Sequence, residues 1–104
     1  MSKQIFKLSV SKLPTKKYVA TYTNKTTGRE NNIHFGAKGY VDYTQTSDAE
    51  NKKAYRARHA KDYINDISKP GAWAWWLLWN KPTLVDSIKS MEDNFKITII
   101  NSVP

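Results

Sequence analysis

Apolar and polar residues alternate loosely over Gln4–Val10, where Ile5, Phe6, Leu8 and Val10 are apolar. A period near two predicts a strand, and Pro14 ends the region. Lys17–Asn24 is rich in Tyr, Val and Thr, residues that suit a pleated surface, and it predicts a second strand. Asn24–Gly28 supplies turn chemistry, and Asn32–Phe35 resumes the alternation, so Lys17–Phe35 reads as a hairpin. Within it Ile33 and Phe35 share one face and His34 points to the other. Gly36-Ala-Lys-Gly39 lacks the Gly-Lys-Ser/Thr ending of a phosphate loop and reads as a tight connection. Tyr40–Thr46 is a short strand or an ordered loop.

The period then changes. Ser47-Asp-Ala-Glu50 fits a capping box, and a helix is expected from about Asp48 to Ile67. Ala57, Ala60, Ile64 and Ile67 would form its apolar stripe. Pro70 and Gly71 read as its stop. Ala72–Trp79 is apolar almost throughout, and a helix there would be apolar on nearly every side, as a buried helix is. After Asn80, Pro82 fits the first turn of another helix. Leu84, Ile88, Met91 and Phe95 recur at helical spacing and make the cleanest stripe in the chain. Lys96–Ile100 is a last strand, expected to return to the N-terminal sheet. The order is strand, hairpin, three helices, strand. The expected fold is α+β: a small, mostly antiparallel sheet with about three helices packed on one face.

Composition narrows the function classes. The chain has 104 residues, the length of one compact domain, and no cysteine, which removes disulfides, thiolate metal sites and thiolate nucleophiles. Its longest apolar run, Ala72–Trp79, is far shorter than the roughly 20 residues that cross a bilayer, and no secretory signal is evident. No membrane association is expected.

The formal charge of +8 is unevenly placed. Residues 1–61 carry thirteen Lys and Arg against four acids, or +9; residues 62–104 carry four Lys against five acids, or −1. A one-sided positive field attracts polyanions or an acidic protein surface. Lys52, Lys53, Arg56, Arg58 and Lys61 surround the first half of the predicted long helix, and Lys16, Lys17 and Lys25 add reach. These eight are the candidate contacts to nucleic acid or an acidic partner.

Trp73, Trp75, Trp76 and Trp79 are all the tryptophan in the protein. Each buries roughly 150–250 Å² and needs an acceptor for its indole N–H. They read as core or as a protein interface, where Trp is enriched. No nucleophile, base and orienting group come together locally. His59 with Asp62 or Asp66 would share a helix face and is the one acid–base candidate. The expectation is no enzyme, no cofactor and no metal.

The shorter motifs form a series. His34-Phe-Gly36, Gly39-Tyr-x-Asp-Tyr-Thr44, Arg56-x-Arg-His59 with Lys61-Asp62, and Trp76-Leu-Leu-Trp-Asn-Lys-Pro-Thr-Leu84 with Ser87-Ile88 follow one another. Together they resemble a family of small basic proteins of nucleocytoplasmic large DNA viruses, over about Tyr18 to Ile88. Ala74-Trp75 departs from that pattern, where a polar or basic residue is expected. The resemblance implies a setting and no catalytic residues: a virus with a large DNA genome, whose proteins are made in host cytoplasm. In that setting a small compact chain with surplus aromatic surface and a one-sided basic face gives the expectation of a non-enzymatic structural component of a giant-virus particle, such as a minor capsid protein, located in the virion with capsid or other virion proteins as partners. The alternative is a sequence-tolerant DNA- or RNA-binding protein in genome packaging, repair or transcription.

Overall fold

Alternation becomes strand where each face has its own environment. In the computed structural model, which describes residues 4–61 and 63–103, β1 is Ile5–Val10, β2 Lys16–Thr23 and β3 Glu30–Ala37. β1 pairs antiparallel with β2 (Leu8 opposite Ala20), and β2 with β3 (Tyr18 opposite Phe35). The last strand, β4 (Thr98–Asn101), lies parallel to β1, with Ile5 opposite Thr98. The sheet order is β3-β2-β1-β4. The fold is thus α+β, mostly antiparallel with one parallel pair. The parallel return needs a crossover, and the helical layer supplies it.

One face of the sheet is covered. Phe6, Leu8, Ala20, Ile33 and Phe35 are buried against α3 (Pro70–Leu78) and α4 (Leu84–Phe95). The other face carries Ser9, Thr21, Asn32 and His34, with a cross-strand bond from Thr21 Oγ1 to Asn32 Oδ1 of 2.8 Å. His34 there meets the buried Ser11, whose Oγ lies 2.8 Å from Nδ1.

α3 is the central helix, and Trp73 is its keystone. Its ring is fully buried, 5.0 Å from Phe6 and 5.9 Å from Phe35. Pro70, expected to end a helix, begins one. It occupies the first turn of α3, where its missing N–H costs nothing. Pro82 in turn stands before the cap of α4, because Thr83 is the N-cap and its hydroxyl accepts from Asp86 N–H. Asn80 and Ser87 brace the α3–α4 turn: Asn80 Nδ2 donates to Ser90 Oγ (3.0 Å) and Lys81 N–H to Ser87 Oγ (3.0 Å). The Trp-Leu-Leu-Trp-Asn-Lys-Pro-Thr-Leu run is therefore a device of the fold.

Three expectations are corrected in the middle of the chain. Tyr40–Thr46 contains a one-turn helix, α1 (Tyr43–Thr46), with a capping box of its own: Asp42 accepts from Thr44 N–H, and Gln45 reaches back to Asp42 N–H. Ser47 ends α1 at φ 53°, so it does not cap the next helix; Asp48 does, accepting from Glu50 and Asn51 N–H. The long helix is also shorter than expected. α2 runs Ala49–His59 and buries no residue. Beyond it Tyr63 takes φ 54°, and the carbonyls of Ile64 and Ile67 accept the indole N–H groups of Trp76 and Trp73, both at 2.8 Å. Two buried indole donors need acceptors, and a loop presents them where a helix would have used them internally.

Candidate cationic and aromatic cleft

α2 is held by polar and aromatic contacts. Lys52, Tyr55, Arg56 and His59 are its half-buried residues, at the spacing of one helix face. The Arg56 guanidinium lies 4.4 Å from the Trp75 ring centroid, and its Nε donates to Trp79 O at 3.0 Å. Burial lowers the Arg56 pKa from its usual value. Tyr55 stacks almost parallel on Trp79, at 4.5 Å and 7°, and His59 stacks on Tyr55 at 4.2 Å. Lys52 sits 4.9 Å over the Tyr43 ring; burial first, then Arg56 and Lys81, lower its pKa.

The five helix cations therefore do not form one surface. Lys52 and Arg56 face the body of the protein. Lys53, Arg58 and Lys61 are exposed, and Lys25 lies in the β2–β3 turn, away from α2. The tryptophans are inside as well. Trp73 and Trp75 are buried, while Trp76 and Trp79 are half-buried, Trp76 meeting Phe95 edge-on at 5.4 Å.

Between the β2–β3 end of the sheet and α2 lies a cleft of about 570 Å³. Phe35, Gly36, Leu78 and Trp79 form its inner part, with Gly71 of α3 beside them. Lys16 enters from β2, Arg58 and His59 from α2, and Tyr40 from the loop after β3. Its carboxylate, Asp42, is already engaged. Lys17 Nζ donates to Asp42 Oδ2 at 2.6 Å and to Gln45 Oε1 at 2.8 Å, and Thr44 donates to the other oxygen through N–H and hydroxyl. Among the described residues neither Lys16 nor Arg58 stands in an ion pair. The cleft is thus left with positive charge and aromatic surface. Lys17, expected to reach a partner, instead ties the Asp42 cap to the sheet, and Asp42 is 3% exposed.

Tyr40, Asp42 and Tyr55 were not among the sequence candidates. The Asp42-x-x-Gln45 spacing was the legible signal for the cap; Tyr40 stood in the Gly39-Tyr-x-Asp-Tyr-Thr44 motif with no role assigned to it. Of the acid–base candidate, the His59–Asp66 pairing is not assembled. α2 stops at His59, so Asp66 is not at helical spacing from it, and its carboxylate is engaged by Ser68 Oγ (2.6 Å) and N–H, which hold its pKa below the usual value. Asp62 lies outside the described residues. Among the described residues no three His, Cys, Asp or Glu stand together as metal ligands, and no helix is long and apolar enough to cross a membrane.

These features define a small two-layer α+β protein with a basic, aromatic-lined cleft at the open end of its helical layer. The chain belongs to a family of unknown function (DUF5754), which it matches over residues 6–59, slightly more than half its length. No curated protein and no solved structure matches it.

Proposed function

We propose that this protein is a non-enzymatic, sequence-tolerant nucleic-acid-binding module. The observation that carries the reading is the meeting of Lys16 and Arg58, from two different elements, at a cleft whose carboxylate is neutralised from within by Lys17. Phosphates bound there displace counterions, and affinity falls with salt in proportion to the phosphates neutralised. Lys53 and Lys61, exposed on and just beyond α2, extend the field. The other expectation, a structural component of a giant-virus particle, drew on surplus aromatic surface. The tryptophans are engaged within the fold, so contacts with capsid proteins would fall to exposed residues such as Tyr63 and Val85.

The test is fluorescence anisotropy with labelled DNA and RNA across a salt series. Binding at low salt that weakens linearly in logarithmic coordinates is expected. Replacing Lys16 and Arg58 together with Gln should reduce the slope by about 1.4 for a single strand, since each phosphate contributes about 0.7. Absence of binding at low salt would refute the reading.

A further inference from the structure

We infer that the cleft takes one unpaired base of a single strand, stacked on Tyr40, with the adjoining phosphate on Arg58 and Lys16. This rests on the nucleic-acid reading above and adds what kind of nucleic acid enters, and how.

Size is the first argument. A cleft of about 570 Å³ lies within the range of small-ligand sites, roughly 300–1,000 Å³, and so can take a nucleoside but not a duplex. A paired base keeps its faces covered by its neighbours; only an unpaired one can offer a face to a side chain. Exposure is the second. Tyr40 lines the cleft yet is 74% exposed, the most exposed of the large apolar side chains among the described residues. The other rings of this region are already covered on a face: Phe35 lies in the core, and the half-buried Tyr55 is stacked on Trp79. An uncovered ring lining the same cleft as two cations is what sequence-tolerant single-strand binding requires, because every base has a π-face and every phosphate a charge. The third argument is charge complementarity. With Asp42 paired to Lys17, an anion approaching Arg58 and Lys16 meets no bare carboxylate lining the cleft.

The experiment uses the intact chain and four labelled probes: an oligothymidylate, an oligouridylate, an abasic deoxyribose-phosphate strand and a duplex, all of one length. A labelled oligoglutamate serves as the acidic-peptide control and is measured directly. Wild-type protein should bind both base-bearing strands at least about fivefold more tightly than the abasic strand, the lower end of what one stacked base contributes. Tyr40→Ala should remove that difference, bringing the base-bearing strands to the abasic level. Its side chain is exposed, so the fold should be kept, and an unchanged thermal midpoint checks this. Double replacement of Lys16 and Arg58 by Gln should weaken all strands. If base-bearing and abasic strands bind alike and Tyr40→Ala changes nothing, this inference falls while the broader one stands. Equal binding of duplex and single strand has the same meaning. If no nucleic acid binds but oligoglutamate does, both fall, and the cleft serves an acidic protein segment.

Discussion

Gly36 is where the strand, the central helix and the cleft meet, and it permits a quantitative test of the packing. Its φ is +80°, a region that side chains rarely adopt. A Cβ built there would stand 2.8 Å from Leu78 Cδ1 and 3.2 Å from Lys17 Cβ. Leu78 is 1% exposed and cannot swing into solvent. Gly28 has nearly the same φ, +72°, but nothing within 4 Å of its added Cβ. Gly28→Ala therefore isolates the backbone strain, about 1 kcal/mol once the stiffer unfolded chain is allowed for. Gly36→Ala adds an overpacking cost of about 1–3 kcal/mol, for a sum of about 2–4 kcal/mol. Urea unfolding followed by tryptophan emission measures both, with equal slopes required for the comparison. A domain of this size has about 5–15 kcal/mol to lose, so both variants should remain folded in water. Leu78→Ala in the Gly36→Ala background makes room for the methyl, and the two losses should fall short of additivity by about 1 kcal/mol or more. If Gly36→Ala unfolds at the same urea concentration as Gly28→Ala, the close approach of β3 and α3 is wrong.

Two further outcomes follow from the docking of α2 and the burial of Tyr18. Arg56→Ala removes the ring contact with Trp75 and the bond to Trp79 O, and should cost about 1–2 kcal/mol; amide exchange should quicken in α2 and stay unchanged in the sheet, and equal quickening everywhere would show that α2 is part of the core. Burial, and then Asp42, raise the Tyr18 pKa above its unfolded value, so its contribution is complete below about pH 10 and lost as pH rises through the folded value. The lowered Lys52 pKa acts oppositely, adding stability as pH rises toward its unfolded value near 10.4. Tyr18→Phe should therefore remove the falling component of an alkaline stability profile and leave the rising one; an identical profile would refute the assignment.

What the sequence revealed was set by how local the cause is. Phe6 and Leu8, or Ile33 and Phe35, alternate because one sheet face is covered, and the pattern is readable without knowing the cover. The α4 stripe is readable for the same reason. The end of α2 was not readable. Ala57, Ala60, Ile64 and Ile67 have helical spacing, yet Ala57 and Ala60 are exposed, and Ile64 and Ile67 lie in the loop whose carbonyls receive two indoles. That demand comes from Trp73 and Trp76, several residues onward. The basic residues were legible as composition but not as a surface, because which of them turn inward depends on where Trp75, Trp79 and Tyr43 stand. Tyr40 stood in the Gly39-Tyr-x-Asp-Tyr-Thr44 motif, but nothing in that motif showed that its ring would be exposed.

The family match has a structural consequence. Residues 6–59 contain β1, β2, β3, α1 and α2, and stop before either helix that covers the sheet. The apolar face of that sheet finds its partners in Trp73, Leu77, Leu78, Ile88 and Met91, all beyond the match. α2 cannot substitute for them, because it buries no residue and itself rests on Trp75 and Trp79. The matched stretch is therefore half of a core, and a chain cut after Lys61 should expose Phe6, Leu8 and Phe35 together and fail to fold. The cleft divides along the same line. Lys16, Tyr40 and Arg58, the groups that would touch a strand, lie inside the match, whereas Leu78 and Trp79, which hold the cleft open behind them, lie outside it. The groups proposed to bind and their mechanical support thus come from separate stretches of the chain, and α3 is the element that joins them.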